Sequence, residues 1–173
     1  ISRYQRLYEI ENSKTEQIVN YIVTQLEEVT PLALEKLLAF SDGVNYALNG
    51  KRMLEEECQA WQHGPVYPSV YVKYKKFGYK PIDNGIHSCH GCMLSKVSEE
   101  ELKAIDMVLD TFGLYSPKTL ETISHKQTPW IEKREGYSEK EASHETMDEK
   151  AVKEYYIKRQ LNSKERILKY IFE

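Results

Sequence analysis

The sequence predicts a mainly α-helical fold: a compact single domain of six or seven helices with a small antiparallel β element. Three observations favour this class. Apolar residues recur at helical spacing in several stretches, helix-capping residues stand directly before those stretches, and Gly and Pro contribute only 8 and 6 of the 173 residues. Each helix then needs another helix to cover its apolar face. We expect one globular domain at residues 15–160, a connector at residues 1–14 and a C-terminal helix at residues 161–173.

Two helices are predicted in the N-terminal part of the chain. Ser13 and Glu16 are spaced as a capping box at the start of the first helix. Thr30 suits the N-cap of the second helix, Pro31 suits its first position, where a missing N–H is harmless, and Asn49-Gly50 suits its end. The positions expected to be buried are Ile18, Ile22, Leu26 and Val29 in the first helix and Leu34, Leu37, Leu38, Ser41, Val44 and Leu48 in the second.

The helical period is lost between Leu54 and Val66, which predicts a short extended segment that ends in a turn at Gly64-Pro65. Pro68 suits the first position of a short helix, and Gly78 suits its end. A polar loop rich in Gly, His and Cys is expected at residues 80–96. The positions of the short helix that are predicted to face inward are Val70, Tyr71, Tyr74 and Phe77.

Capping residues predict further helices in the second half. Ser98 and Glu101 are spaced as a second capping box, and Gly113 suits the end of that helix. Ser116-Pro117 suits the start of the next helix. That helix must end before Pro129, because proline disfavours helical geometry at the residue that precedes it.

Residues 132–150 contain few apolar side chains and many carboxylates, so we expect an exposed, mobile connection there. Thr146 and Glu149 are spaced to cap a further helix, and Ser163 suits the start of the C-terminal helix. The apolar positions of these two helices are Val152, Tyr155, Tyr156, Ile167, Leu168 and Ile171.

Composition excludes some classes of function. The 24 Lys and Arg residues against 27 Asp and Glu residues give a formal net charge of −3, which argues against non-specific nucleic-acid binding by this chain. The longest uncharged run, Cys58 to Val72, contains one glycine and two prolines, so no membrane span is expected. The first ten residues do not form a secretory signal, and we expect a cytoplasmic location. Because the chain opens at Ile1 rather than Met, we also expect that an N-terminal segment was removed.

A cluster of His and Cys side chains is the most tempting metal site. His87, Cys89, His90 and Cys92 place four potential zinc ligands within six residues. Such a short run cannot easily surround one ion tetrahedrally, and structural zinc sites usually pair one Cys-x-x-Cys motif with a distant second pair. We therefore predict no metal and no cofactor, with these four residues as the candidate ligands should a metal bind.

An enzymatic interpretation would use a Cys/His pair. Cys58 or Cys89 could act as the nucleophile with His63 or His125 as the base. Their flanking residues do not resemble a nucleophile elbow, and the sequence has no glycine-rich phosphate loop. We predict that the protein is not an enzyme; a Cys/His-dependent metal-binding protein or hydrolase is the alternative.

The segment from Gln59 to Pro68 combines a large aromatic side chain, a rigid turn and a helix start. Trp61 either packs in the core or presents a docking surface, since Trp and Tyr dominate protein–protein contacts. The lysines beyond it, Lys73, Lys75, Lys76 and Lys80, form either a solvated face or a site for an acidic partner. The residues predicted to bind a partner are Trp61, His63, Gly64, Pro65, Tyr67, Tyr71 and Trp130.

Three stretches of this sequence together carry a family resemblance: residues 30–40 (TPLALEKLLAF), residues 47–51 (ALNGK) and residues 60–67 (AWQHGPVY). They resemble the Panacea antitoxin domain, also called SocA-like or phage GepA-like, which forms the C-terminal domain of MqsA-like antitoxins. The resemblance continues through Leu109–Gly113 and on to His125 and Trp130, and it covers residues 15–160. The sequence departs from the family pattern at residues 86–94, where the His/Cys-rich loop replaces a more apolar segment.

The resemblance implies a mainly helical domain that binds and neutralises a cognate protein toxin encoded alongside it. It implies no catalytic residues. Residues 1–11 are similar to the connector that follows a DNA-binding helix-turn-helix in longer MqsA-like relatives, and this chain has no such motif itself. Direct nucleic-acid binding and membrane binding are therefore not expected, and a homo-oligomer is left open. A phage accessory protein that shares only the fold is a further alternative.

Overall fold

Seven α-helices and one three-stranded sheet make up the part of the chain that the computed structural model describes, residues 13–83 and 94–159. The predicted mainly α-helical fold with a small antiparallel β element is confirmed. Residues 1–12 of the connector, the candidate ligands His87, Cys89, His90 and Cys92, and the C-terminal helix lie outside the described residues. The elements are α1 (Lys14–Gln25), α2 (Pro31–Asn49), β1 (Gln59–Trp61), β2 (Gly64–Val66), α3 (Pro68–Tyr74), a 3-10 turn (Lys75–Phe77), α4 (Glu99–Phe112), α5 (Pro117–Ser124), α6 (Thr128–Lys133), β3 (Glu145–Thr146) and α7 (Glu149–Lys158).

Helix α2 is the centre of the domain and packs against α4, α5 and α7. Its predicted ends are confirmed: the Thr30 hydroxyl accepts from the Ala33 N–H (3.2 Å), and Gly50 closes the helix in a left-handed conformation with φ 77°. Phe40 on α2 meets Phe112 on α4 with ring centroids 5.4 Å apart. Burial of such side chains supplies most of the stability. The fully covered apolar side chains of α2 are Leu34, Leu37, Leu38, Phe40 and Val44.

Helix α1 is shorter than predicted. Ser13 caps it by accepting from the Glu16 N–H (3.2 Å), but the helix ends at Gln25 rather than continuing to Val29. Val29 lies beyond the helix but is still buried. Its carbonyl accepts a hydrogen bond from the Ile82 N–H (2.8 Å), which holds the backbone at Val29 in place. Of the two predicted positions beyond the end of the helix, Val29 is therefore buried and Leu26 is partly buried.

Strands β1 and β2 form a tight antiparallel hairpin in which Trp61 lies opposite Gly64. The connecting loop is Gln62-His63, so the predicted turn at Gly64-Pro65 is wrong: both residues belong to β2. The strand order β2-β1-β3 explains how a proline is accommodated there. Strand β2 is at the edge of the sheet, where the missing N–H of Pro65 leaves no partner unsatisfied.

Helix α3 buries one narrow stripe, and Phe77, in the 3-10 turn that follows, is partly buried against the core. Val70 and Tyr74 are buried, one helical turn apart, whereas Tyr71 is 37% exposed. The prediction that Tyr71 faces inward is therefore wrong. A short helix covers the core with a single i, i+4 stripe, and the next position falls on the outer edge.

The second half contains more ordered structure than the composition indicated. The capping box of Ser98 and Glu101 is confirmed in both directions, at 3.1 and 3.0 Å. The predicted exposure of residues 132–150 is confirmed at most positions, but the segment is not an irregular connection throughout, because β3 pairs with β1 there. Asp148 rather than Thr146 caps α7, accepting from the Lys150 N–H (3.0 Å). Thr146 is unavailable as a cap because it belongs to β3.

The loop between α6 and β3 is organised by one buried guanidinium. Arg134 donates to the carbonyls of Glu141 and Ser138, both at 2.6 Å, and to the Ser143 hydroxyl at 2.7 Å. Ser143 in turn donates to the Ala60 carbonyl (2.7 Å). This chain of hydrogen bonds ties the loop to β1. None of the helices within residues 13–83 and 94–159 is long and apolar enough to span a membrane.

Candidate partner-binding surface

A groove of about 470 Å³ runs beside the hairpin, between the start of α2, α3 and the loop that precedes β3. Trp61 is one of its lining residues. The Tyr71 ring meets Trp61 edge-on at 5.0 Å, and the His144 ring does so at 5.3 Å. The indole N–H of Trp61 donates to Gln59 Oε1 (2.8 Å), which fixes the ring in place. We call this surface the aromatic groove; Pro31, Leu32, Trp61, Val66, Tyr71 and Tyr79 line it.

A second cluster lies behind the hairpin loop. His63 Nδ1 is 2.9 Å from Glu121 Oε1, and His125 Nε2 is 3.8 Å from the same oxygen. The His125 ring stacks parallel to Trp130 at 4.1 Å, and the Trp130 indole N–H donates to the Trp61 carbonyl (2.8 Å). The cluster therefore connects α5 and α6 to the backbone of β1.

Burial and neighbouring charges together shift the pKa values of two members of this cluster, Glu121 and His125. Burial alone would raise the pKa of the Glu121 carboxyl, but the hydrogen bond from His63 and the charges of His63, Lys118 and His125 lower it. Burial lowers the pKa of His125, against the opposing charge of Glu121. His63 is the exposed member, with 61% of its side chain accessible, and it is therefore the one that a partner can reach.

Two buried side chains of opposite charge on α2, Glu35 and Lys36, bind the backbone of the hairpin and of the residue that follows it. The Glu35 carboxylate accepts from the Tyr67 backbone N–H (2.9 Å), and the Lys36 ammonium donates to the Pro65 carbonyl (2.6 Å). Burial raises the pKa of Glu35 to about 7, and burial lowers the pKa of Lys36 to about 8. Because both groups are fixed by backbone partners, they hold β2 and the start of α3 against α2.

Glu35 makes stability depend on pH. The unfolded carboxyl loses its proton near pH 4.5 and the folded one near pH 7, so the folded chain binds the additional proton between those values and stability falls as pH rises through that window. The variant Glu35→Gln cannot titrate there. Relative to the wild type, it should gain about 2–3 kcal/mol between pH 4.5 and pH 8, measured by urea denaturation at each pH.

Glu121→Gln is the matched comparison with the opposite sign. The pKa of Glu121 is lowered in the fold, so its contribution is present above the ordinary carboxyl pKa and is lost as pH falls. Parallel pH profiles for the wild type and Glu35→Gln would contradict the assignment of the titration to Glu35.

The structure places the seven predicted binding residues in two groups. Trp61, His63 and Tyr71 reach the surface, and Trp130 is half-buried and bonded to the Trp61 carbonyl. Gly64, Pro65 and Tyr67 are buried and support the surface from inside. A Cβ on Gly64 would lie 2.5 Å from Ser124 Oγ and 2.7 Å from Lys36 Cε, which shows how closely α2 and α5 approach this strand.

The comparison with known families decides the assignment. Residues 34–131, more than half of the chain, match the family described as Antitoxin SocA-like, Panacea domain. The chain belongs to this Panacea antitoxin family. It is also similar to antitoxin SocA of Caulobacter vibrioides (strain NA1000 / CB15N), with 31% identity over 113 residues, which cover 59% of this chain and 58% of that protein. The chain thus spans less than two thirds of that relative. No solved structure matches it.

Most of the candidate surface lies inside the part of the chain that matches the Panacea family. Residues 34–131 contain Trp61, Tyr71 and the whole His63–Glu121–Trp130 cluster, together with the supporting Glu35 and Lys36. His144 lies outside the matched residues. Sequence reasoning missed His144, because only the pairing of β3 with β1 brings it to the groove. It also missed Glu35 and Lys36, because adjacent opposite charges on a helix normally indicate a solvated face.

The alternative interpretation, a Cys/His enzyme or a metal site, depends on the environment of Cys58 and of the other candidate side chains in this Panacea domain. Burial raises the pKa of the Cys58 thiol to about 12, so it remains a protonated thiol at neutral pH and a poor nucleophile. Across residues 13–83 and 94–159, no group of three or more His, Cys, Asp or Glu side chains is arranged to hold a metal ion. Cys89 and the other members of the predicted metal cluster are outside those residues.

Proposed function

We propose that this chain is the antitoxin of a toxin–antitoxin pair and that it binds and neutralises a partner toxin protein without catalysing a reaction. The observation that carries the proposal is an exposed, preorganised aromatic groove on a domain of an antitoxin family. Membership of the Panacea family supports the antitoxin role, and the similarity to antitoxin SocA supports it further. The toxin would be neutralised by occlusion, as its functional surface becomes covered.

The aromatic groove has the properties of a protein-binding hot spot. Trp and Tyr contribute large contact areas while losing little conformational freedom, and a few such residues dominate most interfaces. Trp61 and Tyr71 are already held in contact at 5.0 Å, and the bond from Gln59 restrains the indole further. Binding therefore requires little ordering of these side chains, which favours affinity.

Charge at the edge of the groove supports a partner surface that carries carboxylates. The Lys75 ammonium lines the groove, while the carboxylates that also line it, Glu35 and Glu121, are buried and bonded within the domain. A cytoplasmic location and the absence of direct nucleic-acid binding remain predictions, and a homo-oligomer stays open.

We expect Trp61→Ala to abolish neutralisation of the toxin. Loss of a central hot-spot residue weakens binding by about 2 kcal/mol or more, roughly 30-fold. The measurement is the growth of cells that co-express each variant with the toxin encoded beside this gene. Calorimetry then measures the affinity of each purified variant for the toxin. Tyr71→Ala is the second variant, because the 37%-exposed Tyr71 ring can be removed with less effect on the fold than the partly buried Trp61.

Leu114→Ala is the control, because this 98%-exposed apolar side chain lies away from the groove and should leave neutralisation unchanged. Circular dichroism checks that every variant is folded. The proposal fails if the folded, abundant wild-type chain does not protect cells from the toxin. The groove is the wrong surface if Trp61→Ala and Tyr71→Ala both protect as well as Leu114→Ala.

A further inference from the structure

Helix α3 and the turn that follows it carry exposed apolar side chains beside the aromatic groove. Three of the six large apolar side chains that are exposed in residues 13–83 and 94–159 lie there: Tyr71, Val72 and Tyr79. Tyr71 and Tyr79 also line the groove, so these side chains and the groove form one continuous surface. Exposed apolar side chains that gather in one place mark a surface that another molecule covers.

This part of the chain is locally basic, although the whole chain has a net charge of −3. Residues 58–82 contain four lysines and no aspartate or glutamate. Lys73 is already paired with Glu16 (2.6 Å). The other three lysines are exposed and form no ion pair within the described part of the chain: Lys75, Lys76 and Lys80. We call these three lysines the basic patch; their positive charge is left for a partner to neutralise.

The two carboxylates that line the groove are compensated inside the domain. Glu35 is buried next to the ammonium of Lys36, whose charge opposes the effect of burial on the pKa of Glu35. Glu121 is also buried, and one of its oxygens lies 3.7 Å from Lys118 Nζ. The ammonium of Lys75 lines the same groove and has no such counter-charge among the residues that the structure describes. The groove therefore attracts negative charge at the Lys75 end.

The aromatic rings of the groove are arranged to receive a side chain rather than a row of bases. The ring planes of Trp61 and Tyr71 are 70° apart, and those of Trp61 and His144 are 75° apart. Single-stranded nucleic acids are held by aromatic faces on which successive bases stack. Rings that stand across one another instead form the walls of a pocket. This arrangement favours a protein segment that places one bulky apolar side chain against the rings.

We propose that the aromatic groove and the basic patch together bind a contiguous acidic segment of a partner protein. One aromatic or large aliphatic side chain of that segment packs against Trp61 and Tyr71, and the carboxylates that flank it lie against the basic patch. An apolar centre with a charged rim is the usual anatomy of a protein–protein interface. The inference rests on the proposed function in taking the toxin as that partner, and it adds the chemistry of the segment that is recognised.

The test is isothermal titration of the wild-type chain with short synthetic peptides that are blocked at both ends. The glutamate peptide has phenylalanine and leucine flanked by glutamates, and the lysine peptide has the same two residues flanked by lysines. We expect only the glutamate peptide to bind saturably. Lys75→Glu/Lys80→Glu should weaken its binding roughly tenfold, and this effect should shrink at about 0.5 M salt, which screens exposed charges. Tyr71→Ala should weaken binding by about as much at either salt concentration.

Lys103→Glu/Lys150→Glu is the matched control, because it changes the net charge equally at exposed lysines of α4 and α7, neither of which lines the groove. Circular dichroism checks that each variant is folded. Equal weakening by the two double variants would show attraction to overall charge and would overturn the proposal. The proposal is also overturned if the glutamate peptide does not bind, if the lysine peptide binds as tightly, or if oligouridylate binds more tightly, which would indicate a nucleic-acid surface.

Neutralisation of the toxin is measured separately, so the two proposals can fail independently. If the glutamate peptide binds as expected but the toxin stays active, the proposed function fails, and the recognition of acidic segments is supported with a different partner protein. If the toxin is neutralised but the glutamate peptide does not bind, the proposed function stands and the recognition of an acidic segment is overturned.

Discussion

Replacing Asp42 with alanine is expected to lower the free energy of unfolding by about 3–5 kcal/mol, because it removes one partner of a buried charged network. The Asp42 carboxylate is 6% exposed. One oxygen accepts from the backbone N–H groups of Met53 (2.8 Å) and Leu54 (3.2 Å). The other accepts from Arg52 (3.3 Å) and from the Tyr67 hydroxyl (3.2 Å).

These bonds explain why the loss should be large. Two backbone N–H groups and one hydroxyl would lose their acceptor, and the half-buried guanidinium of Arg52 would lose its counter-charge. Burial raises the pKa of Asp42, and the charge of Arg52 together with the two backbone N–H groups opposes that shift. The carboxylate therefore depends on its partners as much as they depend on it.

Urea denaturation at neutral pH measures the effect of Asp42→Ala. Asp42→Asn should lose less, because an amide oxygen can still accept from Met53 and Leu54. Asp110→Ala is the control, since this exposed aspartate on α4 should change stability by no more than about 0.5 kcal/mol. A loss for Asp42→Ala as small as that of the control would show that the network contributes nothing net.

Gly64→Ala should destabilise the fold by about 4 kcal/mol and should also abolish neutralisation of the toxin. Gly64 has φ 109°, a conformation that adds about 1–3 kcal/mol of strain for a residue with a Cβ. The added Cβ would lie 2.7 Å from Lys36 Cε, and Lys36 cannot withdraw because it is buried and bonded to the Pro65 carbonyl. Overpacking of this kind adds about 1–3 kcal/mol.

Gly136→Ala separates strain from crowding. Gly136 also has a positive φ, 85°, but a Cβ there would meet no atom within 4 Å. It should lose only the strain contribution, measured in the same urea experiment. If Gly64→Ala is no worse than Gly136→Ala, the close approach of α2 and α5 to the hairpin is not a constraint on the sequence.

Local signals predicted the ends of several helices correctly. Thr30, Ser98 and Ser116 cap their helices as expected, because a cap depends on a side chain and a backbone N–H within a few residues of each other. The same physics explains one failure. Thr146 has the spacing of a cap, but pairing with Gln59 places it in a strand, and Asp148 takes its role.

Long-range contacts account for what the sequence did not reveal about the site. Arg134 occurs in a stretch of polar residues, a pattern that predicts an exposed side chain. It is buried because it donates four hydrogen bonds, to nearby carbonyls and to the Ser143 hydroxyl. Tyr67 was predicted as a contact residue from its position beside Trp61. Its side chain instead extends inward to Asp42 (3.2 Å), so its aromatic ring serves the core.

The support of β1 by distant residues bears on which fragment of this protein can fold independently. The match to the Panacea family model ends at residue 131, whereas the hydrogen bonds that run from Arg134 through Ser143 to the Ala60 carbonyl, and strand β3 itself, lie beyond it. A chain truncated at residue 131 would lack β3, so the edge of β1 beside Trp61 would have no partner strand. We therefore expect the shortest fragment that folds independently to extend beyond the residues that match the family model.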